Sequence, residues 1–163
     1  MRSPSRNLAL LAAALALAEP AAAGEEKPLV GSYRLVQRVL SGGGEVHPPE
    51  IVGFMTFSKT HRTLNMRWTG NGGETVSLSL VSAYTVDGGR YCEIPMYWMQ
   101  NNLDTPGVKY EWPAAKSTCT ALARDATGTS FDVPGEPVRL RLTRDGAIAT
   151  SQGRFDDHWE RVK

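Results

Sequence analysis

Apolar and polar residues alternate along most of this chain with a period of two, the spacing of half-buried strands rather than helices. Across residues 29–40, Leu29, Tyr33, Leu35 and Val39 fall on one side, with Ser32, Arg34 and Arg38 on the other. Residues 51–58 are apolar on both faces. Residues 63–69 set Leu64, Met66 and Trp68 against Thr63, Asn65 and Arg67. Residues 75–86 are the most regular, with Val76, Leu78, Leu80, Tyr84 and Val86 facing one way. Residues 90–98 carry Cys92, Ile94, Met96 and Trp98 on one face, and Pro95 marks an edge, a bulge or a strand end. Residues 118–124, 138–143, 147–151 and 155–162 complete the alternating segments.

Glycine-rich turns punctuate these runs. Asp87-Gly88-Gly89 is a strong hairpin signal. Residues 41–50 and 99–116 read as long loops, the second with room for a short helical turn. Residues 125–137 are also loop-like, although 129–133 have the composition to pair locally. The pattern predicts an all-β fold of about eight to nine short strands with almost no amphipathic helix. Short connections make sequence neighbours sheet neighbours, and closure removes the exposed edges. The expected architecture is an up-and-down antiparallel β-barrel, with a sandwich as the alternative. In a meander, the loops at 41–50 and 99–116 share one end and the tight turns at 59–61 and 87–89 the other. That is the shape of a cup.

Composition adds a compartment. Residues 1–23 have the form of a secretory signal peptide. Arg2 and Arg6 precede an unbroken Ala/Leu run over 8–18, and Ala21-Ala22-Ala23 offers a cleavage site. Residues 24–163 then form one domain, exported to the periplasm or secreted. Without the leader, sixteen basic and sixteen acidic side chains balance. Neither a nucleic-acid footprint nor a membrane contact is expected. In an oxidising compartment, Cys92 and Cys119 are expected to form a disulfide.

Residues 29–36, Leu-Val-Gly-Ser-Tyr-Arg-Leu-Val, resemble the opening motif of the bacterial lipocalin-like domain family. The Gly-containing segment Val52-Gly53-Phe54-Met55-Thr56-Phe57 resembles its second strand, and Trp159-Glu160-Arg161 its closing strand. Tyr33 stands where the wider lipocalin superfamily has Trp. The resemblance implies that Tyr33 and Arg161 pair at the closed end, with Trp159 beside them. It also implies that a small apolar molecule binds in the cup.

The candidate chemistry is sparse. His47 and His61 are separated by one strand and lie about 25 Å apart at opposite ends, and His158 faces away from Trp159. No metal site and no cofactor are therefore expected. Asp157, inward with Trp159 and Arg161, is expected to pair with Arg161 as a structural ion pair. Gln37 is the other interior polar candidate, there to orient a ligand or to satisfy a backbone group. Tyr33, Phe57, Met66, Trp68, Tyr84, Met96, Trp98 and Trp112 suit a ligand-lined cavity and equally a filled core. With Leu78 and Leu80 they make the apolar wall, and Trp98, Tyr110 and Trp112 are expected at the mouth. The leading expectation is a monomeric barrel that binds a small hydrophobic ligand non-covalently. The alternatives are a small cyclase or isomerase using Asp157 or Tyr84, and an envelope module that binds or inhibits a protein partner through its end loops.

Overall fold

A computed structural model describes residues 29–70, 72–103, 105–112 and 116–163. The signal peptide expected over 1–23 lies outside the described residues. The strands are β1 (Gly31–Leu40), β2 (Glu45–Val46), β3 (Ile51–Phe57), β4 (His61–Thr69), β5 (Thr75–Asp87), β6 (Arg90–Asn101), β7 (Val108–Glu111), β8 (Thr118–Asp125), β9 (Gly128–Asp132), β10 (Arg139–Leu142), β11 (Gly146–Ser151) and β12 (Phe155–Arg161). Ten of them follow one another around a closed antiparallel barrel, in which β12 returns to pair with β1. The short strands β2 and β7 are appended to β1 and β6.

The count exceeds the expected eight to nine because β9 forms where a loop was the simpler expectation. Its entry turn is built by one side chain. Asp125 Oδ1 accepts hydrogen bonds from the Thr127 amide at 2.7 Å and hydroxyl at 2.6 Å, and from the Gly128 amide at 3.0 Å. The two bonds from Thr127, and after them one from Arg141, hold the Asp125 carboxyl well below the usual carboxylate range. The stretch expected as a loop over 99–116 is also partly strand. β6 runs on to Asn101, and the chain returns along it as β7.

Two bulges set which side chains point inward. In β1 the pairing with β12 slips between Leu35 and Gln37. Before the slip Tyr33 and Leu35 face in; after it Arg38 does. In β6 the pairing with β5 slips between Val81 and Ser82, leaving Met96 unpaired just after Pro95. Cys92 and Ile94 therefore face out while Trp98 faces in, which splits a set expected on one face. A bulge inverts the inside–outside phase of everything beyond it.

The ends of the barrel differ. At one end Gly88 and Gly89, at φ of 55° and 69°, make the tight β5–β6 turn in a conformation that a side chain disfavours. Inside this end four rings pack in series. Tyr91 stacks on Phe131 at 4.1 Å, Tyr84 on Tyr91 at 5.6 Å, and Phe57 meets Tyr84 edge-on at 5.6 Å. Tyr84 donates its hydroxyl to the Ser58 carbonyl at 2.6 Å. Tyr33 and Arg161 lie opposite each other in register, with the guanidinium 5.9 Å from the ring centroid. The other end carries the 41–50 and 133–138 loops, and it is open.

Candidate functional site

The open end holds a cavity of about 580 Å³. One wall is tall and apolar: Leu64, Met66 and Trp68 from β4, Val76 and Leu78 from β5, and Trp98 from β6. The facing wall sets the small Ala149 and Ser151 of β11 between Leu140 of β10 and Phe155, Asp157 and Trp159 of β12. The side chains of the two walls do not meet across the middle, and a hollow remains. Trp159 closes the side below. Its indole lies over Gly53, where a Cβ would sit 2.9 Å from a ring carbon, so only glycine admits this contact. The 133–138 loop contributes Val133, Glu136, Pro137 and Val138 to the lining.

Ion pairs are set into this apolar surface. Arg38 grips Asp157 with two bonds, Nε to Oδ1 at 2.6 Å and Nη2 to Oδ2 at 2.8 Å. The guanidinium lies 3.9 Å from the centre of the Phe155 ring and 5.5 Å from that of Trp68. Burial raises the Asp157 carboxyl above its ordinary value, and the bonds from Arg38 counter only part of that. The expected partner of Asp157, Arg161, instead donates to the Val30 carbonyl at 2.7 Å. The β1 bulge is the reason, because it turns Arg38 inward opposite Asp157 and leaves Arg161 at the closed end.

Deeper in the barrel, Arg62 binds Glu93 at 2.8 Å and Glu136 at 2.6 Å. Tyr91 donates its hydroxyl to Glu93 Oε2 at 2.6 Å. Burial disfavours the charge on Arg62, but the carboxylates of Glu136 and Glu93 outweigh it and hold the guanidinium firmly protonated. Burial likewise pushes the Tyr91 phenol far above its usual value, so it serves as a hydrogen-bond donor. Through Glu136, this cluster ties the 133–138 loop to β4.

Of the residues proposed from sequence to contact a ligand, Met66, Trp68, Leu78 and Trp98 line the cavity together. Phe57, Leu80 and Tyr84 are buried in the packed core and do not line it. Gln37, Met96 and Trp112 lie off the cavity. The β1 bulge turns Gln37 away, the β6 bulge leaves Met96 exposed, and Trp112 stands on the outer surface, 76% exposed, against Tyr97 at 5.7 Å. Arg38, Arg62, Glu93 and Glu136 escaped the sequence reading. Arg62 is in phase with Leu64, Met66 and Trp68, and Glu93 with Tyr91, so strand phase was the available signal for those two.

Cys92 and Cys119 are opposite in register on β6 and β8 and form a disulfide, the mark of an oxidising environment. Among the described residues no three His, Cys, Asp or Glu side chains are grouped to hold a metal ion. No family model matches the chain, and neither curated proteins nor solved structures contain a significant match.

Proposed function

We propose that this protein is an exported, lipocalin-like barrel that binds one small, mainly apolar molecule non-covalently in its open end. The cavity carries this reading. Its volume of about 580 Å³ lies within the range of small-molecule sites, and its walls are apolar with a few placed polar groups. Met66, Trp68, Leu78 and Trp98 supply the apolar contact, and desolvation of the ligand is the driving force, about 25 cal/mol per Å² before the costs of binding. Arg38 and Asp157, already paired, give one side of the cavity a polar edge that orients a ligand with an oxygen or nitrogen at one end. The outward strand positions include Arg34, Asn65, Arg67, Arg139 and Arg141, a face suited to water rather than lipid. Periplasmic or extracellular residence accords with the disulfide.

The test is a titration of the purified protein with the apolar fluorophore N-phenylnaphthylamine, alongside native mass spectrometry of protein from an exporting host. Saturable binding of one probe per chain is expected, with energy transfer from Trp68 and Trp98. Leu78→Trp, which fills the hollow, should abolish binding, whereas Trp112→Phe should leave it unchanged. A folded protein that binds no probe and carries no co-purified small molecule would refute the proposal.

A further inference from the structure

The appended strand β7 leaves one open edge on the otherwise closed barrel. β8 pairs with the lower half of β6, at Arg90 to Glu93, while β7 pairs with the upper half, at Trp98 to Asn101. Among the described residues no strand pairs with the other side of β7. Natural sheets blunt such edges, because the unpaired N–H and C=O groups template another strand.

The hydrogen-bond phase of this edge follows from its turn. Asn102 N–H donates to the Gly107 carbonyl at 3.0 Å, so that pair is hydrogen-bonded. Antiparallel pairs alternate, so the backbone groups of Val108 and Tyr110 point to the free side. The whole strand is exposed, and its apolar side chains are Val108 at 55% and Tyr110 at 61%, followed by Trp112. Lys109 and Glu111 lie on the opposite face, in register with Gln100 and Trp98, and make no ion pair among the described residues.

We propose that β7 pairs antiparallel with β7 of a second copy, about a two-fold axis through Tyr110. The sequence of the strand is complementary to itself in that register. Lys109 faces the partner's Glu111, and Glu111 the partner's Lys109, so the charge match occurs twice. On the other face Tyr110 meets the partner's Tyr110, and Val108 the partner's Trp112. These are the pairs whose backbone groups are free, and each exchanges both N–H···O=C bonds. Cross-strand aromatic and opposite-charge pairs are the units that stabilise a sheet, and a symmetric contact of this kind closes as a dimer. The formal charge of +1 over the whole chain adds little repulsion between copies.

Sedimentation equilibrium of the exported protein over a range of concentrations tests this. A monomer–dimer equilibrium is expected. Lys109→Glu or Glu111→Lys alone should weaken the dimer by about tenfold or more, since each replaces two attractive pairs with two repulsive ones. The double variant, Lys109→Glu with Glu111→Lys, should restore it, and Tyr110→Pro should abolish it. Near-UV circular dichroism checks that each variant keeps the barrel. A chain that stays monomeric at every concentration overturns the proposal, even where another protein binds the strand. So does a dimer that survives Lys109→Glu, or a folded double variant that stays monomeric.

Discussion

The closed and open ends of this barrel are made from the same strands and similar apolar residues, yet one is solid and the other hollow. At the closed end Tyr91 and Phe131 stack at 4.1 Å, and Phe57 and Tyr84 join them. At the open end Trp68, Leu78 and Trp98 line a hollow together with Ala149, Ser151 and the Arg38–Asp157 pair, and the space between stays unfilled. The hollow belongs to the end where the small residues of β11 and the Arg38–Asp157 pair stand among the large side chains. A count of apolar residues along any single strand does not reveal it. The physical division is between an end that stabilises the fold and an end free to hold something else.

That division is broken most directly by truncating one residue at each end. Phe131→Ala should destabilise by about 4 kcal/mol, because it removes a fully buried ring and leaves a void. Leu78→Ala should cost only about 2 kcal/mol, since its side chain already borders open space and no new enclosed void forms. Denaturant midpoints measure both, and equal losses would erase the distinction. Reducing the Cys92–Cys119 bridge, or replacing both residues with Ser, should cost about 3–4 kcal/mol for a sequence separation of 27. This bridge lies near the closed end, so the loss should appear in stability and leave probe affinity in the folded protein unchanged.

A smaller effect belongs to the charged side of the cavity. The carboxyl of Asp157 titrates higher in the folded protein than in the unfolded chain, because burial disfavours its charge. The unfolded state therefore releases its proton first as pH rises. The contribution of this group is fully present below the ordinary carboxylate value, near about 4, and is lost as pH climbs through the raised folded value. The stability of wild type relative to Asp157→Asn should accordingly fall with rising pH across that window. A difference that rises with pH would reverse the assignment. The smallest effect is expected outside the barrel. Arg34 and Glu160 pair at 2.7 Å but both are well exposed, so Arg34→Ala should change stability by less than about 0.5 kcal/mol. A loss comparable to that of Leu78→Ala would mean that the outer face contributes more than its exposure allows.

Much of the fold was legible in the alternation itself. Residues 63–69 and 75–86 form strands with the faces their pattern dictates, and Asp87-Gly88-Gly89 makes the hairpin. Four of the cavity residues, Met66, Trp68, Leu78 and Trp98, were also within reach, because they lie on inward phases of the strands that form the tall wall. β9 was legible only as a segment with the composition to pair, since its five residues sit among glycine and proline and are held by a side-chain-built turn. β7 was hidden for a different reason: its alternation of Val108 and Tyr110 with Lys109 and Glu111 spans only four residues between Pro106-Gly107 and Trp112-Pro113.

What the chain determined by itself is local. A period of two makes strands, glycine pairs make tight turns, and cysteines spaced on different strands can meet once those strands are neighbours. What only the tertiary structure decided is where the phase of a strand inverts and what stands opposite each side chain. A bulge at Val36 turned Arg38 inward and Gln37 outward, and so gave Asp157 its partner. Neither the bulge nor the hollow that Trp68 borders is written at any one position. Both are properties of two strands at once, since register and packing depend on residues far apart in the chain.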